Sequence, residues 1–225
     1  MRGVGMRRSL PLVVAVALVA AAAVAACDDD GAAATAGSGN VVTETRDVSG
    51  FEEIDVRGSG EVVVDVTGTE SLTVEADDNI LPLLETEVHG GVLVLSVESN
   101  IDPTVGPKYT ITAATLQGVS IAGSGDVTAS AVDVDRLEVD IAGSGDVSPT
   151  GTAGELLVSI AGSGRYQGED LVAATGSVNV SGSGNAVVNV TDELDVDIAG
   201  SGNVEYMGSP TLTQSISGSG EVSQN

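Results

Sequence analysis

Side chains able to do chemistry are unevenly supplied in this chain of 225 residues, which has one histidine, one cysteine and 33 aspartates and glutamates. Any Ser-His-Asp or Cys-His arrangement would depend on His89 alone, and His-rich or Cys-rich metal centres are excluded. His89 precedes Gly90-Gly91 and reads as a solvated turn residue. One cysteine permits no internal disulfide. Glycoside hydrolysis needs two facing carboxylates, but pairs such as Asp133 and Asp135 arise by composition alone in so acidic a chain and discriminate nothing. The expected catalytic set is therefore empty. With only 8 basic residues the formal charge is −25, a surface that repels phosphate backbones, so no nucleic-acid partner is expected. Hydrophobic residues make up 42% and aromatics 2%, so a core must be built from Val, Ile, Leu and Ala. With 30 glycines and many β-branched residues the composition favours strands and turns.

The N-terminus carries processing information. Arg2, Arg7 and Arg8 precede an apolar stretch from Leu10 to Ala26, the layout of a secretory signal and short for a membrane span. It ends Val24-Ala25-Ala26-Cys27, which resembles the lipobox of bacterial lipoproteins. The resemblance implies that residues 1–26 are a lipoprotein signal peptide and that Cys27 becomes the lipid-bearing first residue. Two acyl attachments there hold a protein stably on a membrane where one is marginal. An ordinary signal with an incidental cysteine, or an uncleaved anchor, is the competing reading. Removing residues 1–26 takes away three arginines and no acid, so 33 acids face 5 bases, a formal −28. Residues 27–40, small, polar and without periodicity, read as a flexible tether.

Repetition dominates the remainder. Gly-Ser-Gly begins at Gly58, Gly123, Gly143, Gly162, Gly182, Gly200 and Gly218, with one further copy in the tether at Gly37; from Gly123 the intervals are 20, 19, 20, 18 and 18. In Leu137-Glu-Val139-Asp-Ile141-Ala-Gly143-Ser-Gly145-Asp-Val147 the odd positions are apolar or Gly and the even ones small or polar, the period of a strand with one buried face. Such a run is too long for one flat strand, so Gly-Ser-Gly marks a corner. A helix-free unit returning to register every 18 to 20 residues is one coil of an all-β parallel β-helix or β-solenoid. Right-handed winding follows from the general crossover preference.

The repeated Ile/Val-Ala/Ser-Gly-Ser-Gly-Asp/Asn-Val, with Phe51-Glu-Glu-Ile54-Asp-Val56-Arg-Gly58-Ser-Gly60-Glu-Val and Leu72-Thr-Val74-Glu-Ala76-Asp-Asp-Asn79-Ile80, resembles the head GIN domain of putative auto-transporter adhesins over about residues 42 to 224. The resemblance implies an extracytoplasmic β-helical domain, often lipid-anchored, and brings no catalytic motif. The domain is expected over 41–225, with regular repeats from about 116. Between Gly58 and Gly123 the spacing breaks down. Leu83 to Val88 and Val92 to Val97 read as two strands around a tight turn, and Asn100 to Pro107 as a loop. An atypical N-terminal sheet region is expected to begin and cap the solenoid.

Stacked coils place the residues after each Gly-Ser-Gly in one ladder, from Asp126 and Asp146 through Arg165, Asn185 and Asn203 to Glu221, about 4.8 Å apart. A second ladder, Ser120, Asp140, Ser159, Asn179, Asp197 and Ser215, never puts acids in adjacent coils. Gly-Ser-Gly-Asp loosely resembles the pattern of calcium-binding β-rolls, which makes Asp126 and Asp146 the candidate calcium ligands; turn chemistry with diffuse counterions is the other reading, and no cofactor is required. Tyr109, Tyr166 and Tyr206 are expected at the rim, packed over corners or open to a ligand. The function expected is a membrane-tethered, extracytoplasmic, non-catalytic solenoid acting as an adhesin-like or structural interaction module, with an envelope or extracellular protein or glycan as partner. The alternatives are a calcium- or carbohydrate-binding domain and, behind these, a polysaccharide-acting enzyme. The last repeat stops at Glu221-Val-Ser-Gln-Asn225, and a terminal coil with unpaired backbone groups also invites end-to-end self-association.

Overall fold

The computed structural model describes residues 34–225; the expected signal peptide, Cys27 and the expected tether up to residue 33 lie outside the described residues. In chain order the strands are β1 (Thr35–Ala36), β2 (Val41–Arg46), β3 (Glu53–Gly58), β4 (Glu61–Val66), β5 (Ser71–Asp77), β6 (Leu84–His89), β7 (Val92–Val97), β8 (Ile101–Asp102), β9 (Lys108–Ala113) and β10 (Gly118–Gly123). There follow the long β11 (Asp126–Gly143), β12 (Asp146–Gly162), β13 (Arg165–Gly182) and β14 (Asn185–Gly200), and the shorter β15 (Asn203–Met207), β16 (Thr211–Gly218) and β17 (Glu221–Gln224). A single 3₁₀ turn, Leu81–Leu83, is the only helical element among the described residues.

The alternation read from the sequence is the alternation of burial. Along Leu137 to Val147 the apolar positions Leu137, Val139, Ile141 and Val147 are buried, and the residues between them point outward. Coils pair in parallel, Val139 with Val158 and Val158 with Val178, then Val178 with Val196. The column Ile121, Ile141, Ile160, Val180 and Ile198 runs beside it. These columns fill the lumen of a β-solenoid. Each long strand bends where its register shifts, as between Ala129 and Val132, and so supplies more than one face of a coil.

Gly-Ser-Gly makes the corner. The first glycine of each copy from Gly58 to Gly218 has φ between +125° and +143°, a region closed to other residues. A Cβ on Gly162 would lie 2.3 Å from the Gly143 carbonyl oxygen in the coil before it. That oxygen also accepts the Ser163 N–H at 2.8 Å, so the corner is a stack of its own hydrogen bonds.

The break between Gly58 and Gly123 disappears in space. Strand β10 pairs with β3, and the Ser124 N–H donates to the Gly58 carbonyl at 2.9 Å. Below the β3–β4 coil lies another made of β7 and β9, so the earlier coil is threaded between two that follow it in the chain. Antiparallel strands close this end: β5 on β9, β2 on β5, and β6 on β7 through the Gly90-Gly91 turn. The expected cap is present, but the regular stack starts well before residue 116.

Two tyrosines expected at the rim are inside. Tyr109 is 4% exposed and Tyr166 1%. Tyr166 stands in the lumen column between Val147 and Ala186, and its ring lies over Gly168, where a Cβ would come within 2.3 Å of it. Small neighbours make room for one large residue. The Tyr166 hydroxyl has no hydrogen-bond partner. Tyr166→Phe is therefore expected to raise stability by about 1 kcal/mol, because an unpaired buried hydroxyl is removed without loss of volume. Burial pushes the phenol pKa of Tyr109 up to about 12, and burial and Glu169 push that of Tyr166 up further. A phenol raised on folding contributes fully below its ordinary value of 10.0, and its contribution is lost as pH rises above that. Thermal melts of wild type and Tyr166→Phe between neutral pH and pH 11 check both points: the variant melts higher and with a shallower alkaline decline.

Candidate functional site

The outward side chains form the expected ladders. Asp126 pairs in register with Asp146, Asp146 with Arg165, Arg165 with Asn185, Asn185 with Asn203, and Asn203 with Glu221. The fold extends the column downward to Glu61 and then Lys108. Three carboxylates, Glu61, Asp126 and Asp146, are thus adjacent. Lys108 Nζ sits 2.9 Å from Glu61 at one end, and an Arg165 guanidinium nitrogen 3.4 Å from Asp146 at the other. The chain's own cations thus hold the ends of the acidic run. Among the described residues no group of three or more His, Cys, Asp or Glu side chains is disposed to hold a metal ion. Asn203 donates to the Asn185 side-chain oxygen at 3.2 Å, and the Glu221 N–H to that of Asn203 at 3.2 Å, so the amide half of the ladder is hydrogen-bonded coil to coil.

In the second ladder Asp140 stands between Ser120 and Ser159. Partial burial, with Glu138 nearby, raises its carboxyl pKa, against a lowering hydrogen bond from Ser159. Asp133 accepts from the Thr152 hydroxyl at 2.9 Å, a coil-to-coil bond of the same kind.

Among the described residues the basic side chains are all engaged. Arg46 contacts Glu44 and donates to the Leu81 and Leu84 carbonyls; Arg57 holds Asp55, Lys108 holds Glu61, Arg136 bridges Glu138 and Glu155, and Arg165 faces Asp146. His89 pairs with Glu87 on the exposed hairpin at 2.6 Å. No cation among the described residues is left to seat an anionic substrate.

A feature that sequence reasoning missed lies where the tether was expected. Residues 34–40 are bound to the head, a correction to the boundary at 40. Strand β1 pairs with β8, Thr35 opposite Ile101. The buried Asp77 carboxylate accepts the Gly39 and Thr104 N–H groups at 2.9 and 2.8 Å. Asp78 accepts from the Ser38 hydroxyl and the Asn40 amide, which hold its carboxyl below 3.8, so its contribution is present above that pH and lost as pH falls further. Asn79 bonds Ser38 and Ala36. Asp77-Asp78-Asn79 is therefore a latch. Asp77→Ala is expected to cost about 3 kcal/mol, through loss of the two charge-assisted bonds that its buried carboxylate accepts, and to open the chain around Ser38 to limited proteolysis. Cleavage there no faster than in wild type would refute the latch.

One cavity of about 420 Å³ opens below the Gly58 corner, lined by Leu84, Leu95, Ile101, Pro107, Tyr109 and Arg57 among others. It exists because the level beneath Gly58 turns through the loop around β8 instead of through a glycine corner.

The fold and its surface define an acidic β-solenoid whose polar residues stack in ladders from coil to coil. The chain belongs to the family described as "Putative auto-transporter adhesin, head GIN domain", whose model matches residues 50–210. A putative adhesin from Bacteroides fragilis is similar over 84% of this chain and 99% of its own, with 26% identity and a TM-score of 0.70. A protein named a putative lipid binding protein, from Parabacteroides distasonis, matches over 86% and 100% of the two chains with 25% identity and a TM-score of 0.57. A putative adhesin from Parabacteroides merdae, at 18% identity, TM-score 0.56 and coverage of 85% and 99%, shares the fold. No curated protein matches.

Proposed function

We propose that the chain is an exported lipoprotein whose acidic β-solenoid head is a non-catalytic, adhesin-like interaction module held outside the cytoplasm. Residues 1–26 act as the signal, Cys27 carries lipid, and the latch takes hold of the chain from Thr35. The observation that carries the non-catalytic reading is the pairing of every basic side chain among the described residues with a carboxylate. Family membership and the likeness to proteins named adhesins support a role in surface attachment. The carbohydrate alternative is disfavoured because Tyr109 and Tyr166, which would make stacking platforms for sugars, are buried. Anchoring is tested by fractionation: wild type is expected in the membrane fraction and Cys27→Ala in the soluble fraction. Retention of the variant in the membrane would mean that the apolar stretch, and not lipid, holds the protein.

A further inference from the structure

At each of the six later corners, from Ser124 to Ser219, the serine N–H donates to the carbonyl of the first corner glycine in the coil beneath it, at 2.7 to 2.9 Å. Ser59 is the exception. The coil under it, made of β7 and β9, passes from Val97 to Lys108 through a loop that contains no Gly-Ser-Gly. Pairing stops at Val56 with Leu95 and resumes where the Glu61 N–H donates to the Pro107 carbonyl at 3.0 Å. Across that gap the Ser59 N–H meets no backbone acceptor among the described residues, although the corner directs it to the level where a glycine carbonyl stands in the other copies.

The cavity of about 420 Å³ lies at this gap, with Gly58 and Ser59 in its wall. The rest of the wall is largely apolar: Leu84, Leu95 and Tyr109 are buried, and Val97 and Ile101 are half-buried. An unpaired donor beside an apolar wall suits a ligand that brings an acceptor oxygen and an aliphatic body. Charge narrows the class. Arg57, the one cation lining the cavity, is held by Asp55 at 2.7 Å, and a formal charge of −25 disfavours an anion. An uncharged carbonyl is better served than a carboxylate. An ester in addition carries no donor that would need a partner against the apolar wall.

We propose that this open corner binds an uncharged aliphatic ester. Its carbonyl oxygen accepts the Ser59 N–H, as a glycine carbonyl does at every later corner, and its chain lies along Leu84, Leu95 and Val97. At about 30 Å³ for each small group the cavity takes on the order of a dozen non-hydrogen atoms, so the ester is a short one. The later corners offer no equivalent site, because their own backbone supplies the acceptor. Binding here does not depend on how the chain is anchored.

The test is titration of the isotope-labelled full chain with ethyl hexanoate, read at the Ser59 amide by NMR, in lipid nanodiscs so that no free detergent competes. Uptake of the ester by the bilayer leaves that amide unmoved. A saturable shift is expected with the ester. Ethyl hexyl ether, which lacks only the carbonyl oxygen, is expected to bind about tenfold more weakly, and hexanoate to give no shift. Val97→Phe, which fills the cavity, is expected to abolish the shift at an unchanged melting temperature; Ile101→Phe serves where that variant is destabilised. Four results overturn the proposal: no saturable shift at Ser59, equal binding of ester and ether, binding of hexanoate as tight as that of the ester, or ester binding retained in a folded cavity-filling variant.

Discussion

Gly162→Ala is expected to cost about 4 kcal/mol or more and to lower the melting temperature by roughly 10 °C. Two penalties combine. Gly162 has φ +136°, where an L side chain is strained, and its new Cβ would meet the Gly143 carbonyl oxygen at 2.3 Å. The chain cannot relieve this by a small shift, because the same oxygen accepts the Ser163 N–H and the Gly182 corner rests in turn on Gly162. Moving one corner moves the stack. Ser163→Ala is the control: its side chain is exposed at the same corner and its loss should lie within about 0.5 kcal/mol of wild type. Thermal and chemical denaturation of the two variants check the contrast. Equal stability of Gly162→Ala and Ser163→Ala would show that the corner does not require glycine.

Ile160→Ala is expected to cost about 3 to 4 kcal/mol, whereas Ile216→Ala, in the same column three coils further on, should cost less than about 1. Ile160 is 1% exposed, and its Cγ2 occupies the space above Gly184, where a Cβ would come within 2.4 Å of it. Truncation leaves a void bounded by neighbouring coils that pair on both sides and cannot close in. Ile216 has a coil on one side only. Denaturation midpoints of both variants under one condition give the comparison; similar losses would mean that the last coil is as well packed as the middle.

The columns from Gly123 onward were legible because the repeat interval equals the coil length, so residues with the same place in the repeat fall into register without any long-range information. Asp126 over Asp146 and Asn185 over Asn203 are read off the sequence for that reason, and the structure places them so. Lys108 and Glu61, the lower members of the same ladder, were not legible. Their coils are joined through chain excursions, and nothing local states that β10 pairs with β3 across 65 residues of separation between Gly58 and Gly123. The Gly37 copy shows the limit of a motif. It has the same three residues, but its first glycine has no positive φ, Gly39 has φ +80°, and the Asp77 carboxylate takes the place of a neighbouring corner.

By itself the sequence determined the strand period, the corner glycines, the coil length and the excess of carboxylates, because each is a local pattern or a composition. Only the tertiary structure decided that an early coil lies between two later ones, that Tyr109 and Tyr166 go inside, and that residues 34–40 are latched. Those outcomes depend on which surfaces meet. Tyr166 is buried because Ala186 of the next coil and Gly168 of its own strand leave room for its ring.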